Sequence, residues 1–198
     1  MPDRETLNVY REKADAYRNC FASGEADAGL RDFLAALPDG ARVLDLGCGP
    51  GQALAHMVRA GHRAEGLDPV LEFVALAKEA SGAPVMQGTF ETLRSVDTYD
   101  GVFANFSLLH APKAQLPQQL ERIAQALNPG GLFHVGLKTG TGERRDKIGR
   151  FYAYYERDEL CDLVGAAGFD IHQERTGEDD GLDGTIAPWI IVLARKIT

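Results

Sequence analysis

The chain has 198 residues, 44% of them hydrophobic and 25% charged, which is ordinary for a globular protein and long enough for one domain with a full core. Its 21 basic and 29 acidic residues leave a net charge of −8, which disfavours nucleic acid and anionic membrane as partners and favours small-molecule chemistry. The three cysteines, Cys20, Cys48 and Cys161, are far apart with no C-x-x-C pair, so neither a disulfide framework nor a metal site is expected, and reduced, cytoplasmic thiols fit.

The start, Met1-Pro2-Asp3-Arg4-Glu5, is polar, and no stretch nears the ~18 apolar residues of a spanning helix. Neither export nor membrane insertion is therefore expected. Residues 3–22 place Leu7, Tyr10, Ala14, Tyr17 and Phe21 at three- and four-residue steps, the stripe of an amphipathic helix. Residues 26–37 form a second helix, ended by Pro38-Asp39-Gly40. Both precede the sheet and are expected to cap the ligand site, with Tyr10 and Tyr17 either packed on the core or facing a ligand.

Residues 42–46 read as a first strand that breaks into Gly47-Cys48-Gly49-Pro50-Gly51 before a helix over 52–60. Such a turn is expected to offer backbone N–H groups and a helix N-terminus to a ligand. Its Gly-x-Gly-x-Gly spacing differs from the Gly-x-Gly-x-x-Gly of dinucleotide binders. A second strand, 64–67, ends in Asp68-Pro69, nineteen positions beyond Gly49, where a βαβ nucleotide fold sets the acid that grips a ribose. A carboxylate only accepts hydrogen bonds, so it suits a cis-diol; the alternative is an N-cap for the helix over 70–80.

Residues 84–87 form a short third strand, followed by Gly88-Thr89-Phe90-Glu91. Residues 99–106 are nearly all apolar, as in a strand buried on both faces, and Ser107-Leu108-Leu109-His110 follows at the expected ligand crevice. A helix over 114–127 is stopped by the turn Asn128-Pro129-Gly130-Gly131, before a strand at 132–137. Residues 138–150 form the least regular region, with Lys138, Arg144, Arg145, Lys147 and Arg150 against Glu143 and Asp146. It is either a solvated loop or a lid whose cations meet an anionic substrate. Tyr152, Tyr154 and Tyr155 lead into a helix over 157–167, and strands at 169–175 and 187–195 close the chain. Between them, Glu178, Asp179, Asp180 and Asp183 read as an exposed hairpin loop with no chemistry assigned.

Five segments in this order resemble the class I S-adenosylmethionine-dependent methyltransferases of the small-molecule branch: Val43 to Gly51, Gly66 to Pro69, Tyr99 to Asn105 with Ser107 to His110, Leu127 to Gly131, and Glu159-Leu160 with Ala167 to Phe169. The resemblance implies an α/β, Rossmann-like sheet of seven strands in the order 3-2-1-4-5-7-6, the last antiparallel, flanked by helices. One domain would then comprise an N-terminal helical cap (1–38) and a core (39–198). The cofactor implied is S-adenosyl-L-methionine, with S-adenosyl-L-homocysteine as product. Gly47, Cys48, Gly49 and Gly51 would surround its methionine portion, Asp45 would lie near the ammonium, and Asp68 would hold the ribose hydroxyls. Pro69 and Val70 would border the adenine, and Asn105 would lie beside the methionine moiety. Relatives usually carry Gly-Asp after the third strand; here the pair is Gly88-Thr89, so adenine contact is expected through Thr89 and the Phe90 backbone, with Glu91 as a substitute. Tyr10, Ala14 and Tyr17 match a Tyr-x-x-x-Ala-x-x-Tyr stretch whose tyrosine folds over the cofactor.

The expected activity is methyl transfer to a small-molecule O, N, S or C nucleophile, by an in-line displacement in which alignment and exclusion of water dominate. His110 is the imidazole placed to take a proton, or else lines the pocket. Tyr10, Tyr152, Arg144 and Arg145 are the acceptor-side candidates, whereas His134 reads as packed. A nicotinamide-dependent oxidoreductase would share the turn and the ribose acid but not the glycine spacing. A catalytically silent cofactor-binding module would keep Asp45 and Asp68 without turnover. A monomer or homodimer is expected.

Overall fold

The computed structural model describes residues 3–20 and 24–197, with Asn19 and Cys20 described by backbone alone. Phe21 and Ala22 of the expected first helix, Met1, Pro2 and the Cys20 thiol lie outside the described residues. In chain order the elements are α1 (Arg4–Glu12), α2 (Ala14–Cys20), α3 (Ala28–Ala36), β1 (Arg42–Leu46), α4 (Gln52–Arg59), β2 (Arg63–Asp68), α5 (Leu71–Ser81), β3 (Val85–Gln87) and β4 (Tyr99–Asn105). They continue as α6 (Leu116–Ala126), β5 (Leu127–Lys138), β6 (Glu143–Arg145), β7 (Phe151–Ala153), α7 (Arg157–Ala166), β8 (Phe169–Asp180) and β9 (Ile186–Lys196).

Seven strands make one sheet in the order β3-β2-β1-β4-β5-β9-β8, and β9 runs antiparallel between β5 and β8. This is the order the resemblance implies, with β8 and β9 as its sixth and seventh strands. Along β1 and β4 successive side chains enter two different buried layers. Leu44, Leu46, Val102 and Ala104 pack with Leu120 and Ile123 of α6 and Leu160 of α7. Val43 and Phe103 pack with Phe33, Leu54, Met57 and Val74 of α3, α4 and α5. Helices therefore cover both faces, which is why these strands are apolar without alternation. Each such side chain removed from water contributes roughly 1.5–3 kcal/mol, so the carboxyl ends of the strands stand on a stiff platform.

Four segments depart from the sequence expectation. The first helix breaks at Lys13 (φ −108°, ψ 16°) into α1 and α2. The fifth strand begins earlier than expected, at Leu127, which pairs with Tyr99, and Asn128 to Gly131 bulges out of the ladder, which resumes at Gly101 and Leu132, with Gly130 left-handed at φ +73°. Pro129 disfavours helical dihedrals at Asn128, so α6 ends ahead of it. Within 138–150 the chain forms a ribbon, β6 against β7, rather than an irregular loop. The Asp146 carboxylate closes its turn by accepting from the N–H groups of Ile148 (3.1 Å) and Arg150 (2.8 Å). Finally, β8 and β9 pair as far as Asp180 and Ile186, so most of the expected acidic loop is strand.

Candidate active site

Because the Leu46 strand end faces Leu67 on the neighbouring strand, the β1–α4 turn folds back on β2. The N–H groups of Gly47 (2.7 Å) and Cys48 (3.2 Å) both donate to the Leu67 carbonyl, and Gly51 N–H donates to the Cys48 carbonyl (3.0 Å). Gly49 N–H donates to Asp68 Oδ2 (2.9 Å). The turn thus spends these donors on itself, contrary to the expectation that they face a ligand. What it offers instead is the absence of side chains at its glycines. Gly47 (φ +80°) and Gly51 (φ +89°) have left-handed backbones, and an added Cβ would stand 2.3 Å from Ser107 Cβ and 2.6 Å from Ala77 Cα respectively. Glycine there lets β4 and α5 close on the turn.

Two carboxylates frame it. Asp68 is 5% exposed, and its Oδ1 accepts from Val70 N–H (2.8 Å). Burial raises its pKa to about 6, against those two backbone hydrogen bonds. Asp45 is 3% exposed, and its Oδ2 has no hydrogen-bond partner among the described residues. Burial first, and then the Asp68 charge, push it up to about 8. A buried carboxyl with an open oxygen beside a second acid is a place prepared for a cation. Cys48, also buried, has its thiol pushed up by the same burial, so it is a packed wall and not a nucleophile.

Two adjoining cavities meet here, of about 320 Å³ and about 90 Å³, and share Tyr10, Tyr17, Gly47, Gly49, Asn105 and Phe106. The larger takes in Asp45, Cys48, Lys138, Arg150, Tyr152 and Trp189; the smaller takes in Asp68, Pro69, Val70, Phe90, Glu91 and His110. Asn105, at the tip of β4, is oriented by His134, whose Nε2 donates to its Oδ1 (3.1 Å). Its amide N–H groups are left for the cavity. Phe106, next in the chain, has φ +52°, an outlier for a bulky residue, held by a hydrogen bond from its N–H to the Gly136 carbonyl (2.9 Å).

A chain of hydrogen bonds closes the far wall. His110 Nδ1 donates to the Phe151 carbonyl (2.7 Å), so its Nε2 accepts from the Tyr10 hydroxyl (2.7 Å). Arg150 Nη1 donates to that same hydroxyl (3.2 Å), and Arg150 is itself paired with Asp146 (2.8 Å). Burial lowers the His110 pKa to about 4, so the imidazole is neutral at pH 7 and its free lone pair belongs to Tyr10. Tyr10, Tyr17 and Phe73 pack as an aromatic wall, with ring centroids 5.4 to 5.7 Å apart.

A sequence profile described as a methyltransferase domain matches residues 15–174 of this chain. The chain belongs to the methyltransferase domain family. Trans-aconitate 2-methyltransferase of Rhodopseudomonas palustris (strain BisB18) is 30% identical to it over 141 residues, 68% of this chain and 54% of that protein. The chain spans about half the length of the curated relatives it matches. Burkholderia thailandensis 1,6-didemethyltoxoflavin-N1-methyltransferase, solved with 1,6-didemethyltoxoflavin and S-adenosylhomocysteine bound, has the same fold at TM-score 0.76 and 23% identity, over 98% of this chain and 88% of that one. The [4+2]-cyclase SpnF matches at TM-score 0.76 and 18% identity, over 100% and 97% of the two chains.

In this methyltransferase domain the cavities do not gather every residue singled out in the sequence. Thr89 is turned from them: its hydroxyl donates to the Glu91 carboxylate, and it is Glu91 and Phe90 that line the smaller cavity. Arg144 stacks on Tyr154, 3.5 Å from the ring centroid, and Arg145 bonds Asp3 (2.9 Å) and pairs with Glu5 (3.2 Å) at the start of α1. Neither lines a cavity; the cations of 138–150 that do are Lys138, the last residue of β5, and Arg150, in the β6–β7 turn. Phe106, Trp189, Asp179 and Asp180 also line the larger cavity without a sequence signal. The last two arrive because the β8–β9 pairing extends beyond the expected loop. No described helix is long and apolar enough to cross a membrane.

Proposed function

We propose that this chain binds S-adenosyl-L-methionine and transfers its methyl group to a small-molecule nucleophile, releasing S-adenosyl-L-homocysteine. The observation that carries the reading is the pair Asp45 and Asp68: two buried carboxylates, one with an open oxygen, on either side of the glycine turn. A dinucleotide's pyrophosphate would meet two acids and a turn whose donors are already used, so a nicotinamide coenzyme fits poorly. A ligand with an ammonium and a ribose diol fits both acids. Asp45 would hold the ammonium, and Asp68, with lone pairs to spare, the ribose hydroxyls. Gly47, Cys48, Gly49 and Gly51 would border the methionine portion beside Asn105, with Tyr17 over it, and Pro69, Val70 and Phe90 would border the adenine.

The bound cofactor supplies a methyl group on a sulfonium, already activated for displacement. The chain's own part is to align the acceptor against it and keep water out, through the wall of Tyr10, Tyr17, Phe106 and Tyr152. Aromatic faces also suit a sulfonium's charge. An acceptor hydroxyl or thiol would pass its proton to His110 by way of Tyr10, since Tyr10 occupies the imidazole's accepting nitrogen. We take the β6–β7 ribbon as the lid, presenting Arg150 from its turn, with Lys138 at the end of β5 beside it, to an anionic group of the acceptor in place of Arg144 and Arg145. A monomer or homodimer acting in the cytoplasm fits the charge and the thiols.

Calorimetry with S-adenosylhomocysteine tests the binding, and release of S-adenosylhomocysteine across a panel of carboxylated, hydroxylated and amine acceptors tests the transfer. Absence of binding sinks the proposal. Binding without turnover favours a chain that holds the cofactor and does other work, as the likeness to a cyclase invites.

A further inference from the structure

The smaller cavity contains a polar group that the fold itself does not employ. Gln119 of α6 is 4% exposed, and neither its Nε2 nor its Oε1 has a hydrogen-bond partner among the described residues. Its neighbours on the buried side of that helix are Leu116, Leu120 and Ile123, so a leucine here would satisfy packing at no desolvation cost. An amide with both ends open, lining a cavity, is suited to a ligand that offers a donor and an acceptor side by side.

The position of the helix says which ligand edge. Arg122, three residues on, donates Nη1 to the Glu91 carbonyl (2.7 Å), fastening α6 to the Phe90–Thr92 turn. Gln119 therefore shares its cavity with Pro69, Val70, Phe90 and Glu91, the wall assigned above to the adenine. Thr89, where an acid was expected, has its hydroxyl committed to Glu91.

We propose that Gln119 reads the adenine, its amide oxygen accepting from the 6-amino group and its amide nitrogen donating to the adjacent ring nitrogen. The pairing is the one that glutamine and asparagine make with adenine wherever both edges are free. Gln119 is thus a specificity and positioning residue, and the inference rests on the cofactor reading above.

The test is a calorimetric cycle. S-adenosylhomocysteine and its analogue with hydrogen in place of the 6-amino group are titrated into the parent and into Gln119→Leu, with Gln119→Met as a second variant of similar length. The parent should prefer the amino form. Each variant should lose roughly tenfold in affinity for the amino form and much less for the analogue, while its ligand-free melting temperature is no lower than the parent's. A ratio between the two ligands that is the same in parent and variants overturns the inference. Failure of the parent to bind S-adenosylhomocysteine overturns the cofactor reading and this inference together.

Discussion

The two ends of the site are built in opposite ways. At the β1–β2 end, Asp45, the glycine turn and Asp68 lie within 24 consecutive residues, and their contacts are with one another and with adjacent strand tips. At the α1–β7 end, Tyr10 meets His110 from 100 residues away, Arg150 from 140, and Thr6 Oγ1 accepts from Phe151 N–H across 145. The first end is preorganised by local backbone and suits the part of a ligand that never varies. The second is stitched from distant segments, each of which can change without disturbing the sheet, and it suits the part that distinguishes one acceptor from another.

Substitutions at the first end should act on cofactor affinity. Asp68→Ala removes the acceptor for two backbone N–H groups as well as the one proposed for the ribose, and S-adenosylhomocysteine should bind roughly a hundredfold more weakly by calorimetry. Retained affinity would break the contrast. Asp45→Asn should cost roughly tenfold in the same titration, yet leave the ligand-free protein at least as stable.

That sign follows from linkage. The Asp45 pKa is raised from 3.8 to about 8, so the folded chain retains a proton that the unfolded chain has lost, and stability falls as pH rises between those values. His110 acts oppositely, its lowered pKa of about 4 making stability fall as pH drops below 6.5, and Asp68, at about 6, contributes mostly below that pH. Between pH 6.5 and 8 the Asp45 contribution therefore stands nearly alone. Differential scanning fluorimetry should record a declining melting temperature across that window in the parent and a flatter profile in Asp45→Asn.

At the second end the effects should be smaller and appear in acceptor kinetics. Lys138→Ala should raise KM for an anionic acceptor roughly tenfold with cofactor affinity unchanged, the scale of one charge-assisted hydrogen bond. Arg144→Ala should leave both untouched, because that guanidinium lies on Tyr154 outside the cavities. Arg145→Ala, which removes exposed pairs to Asp3 and Glu5, should lower the melting temperature only slightly, since solvent screens such pairs.

The same contrast explains what could be read from the chain. The strand order is implied by the family resemblance, while the strand-end positions of Asp45, Asp68 and Asn105 follow from apolar runs ending in a few glycines and polar residues, because parallel strands bring their carboxyl ends to one edge. The ribbon was hidden because its register depends on the Asp146 side chain closing a turn, and glycines at 140, 142 and 149 mask a strand pattern. Phe106 gave no signal, since a left-handed backbone at a phenylalanine is imposed by the Gly136 carbonyl on the next strand. Tyr10 and His110 could each be singled out, but their mutual bond, which decides what the imidazole can do, exists only in three dimensions. The cations facing the cavity could not be told from those facing solvent, because Lys138 is placed by its pairing with Trp189 of β9 and Arg150 by its bond to Asp146.

One contact reaches further than its energy suggests. Arg145 ties the ribbon to the N-cap of α1 through Asp3, whose carboxyl the guanidinium holds far below the usual range. The side chains are 40% and 23% exposed, so dissolved ions reach the pair. At 0.1 M salt the screening length is about 10 Å, and at 1 M about 3 Å. Ionic strength should therefore tune how firmly the ribbon is fastened to α1, while the buried acids at the other end are screened far less.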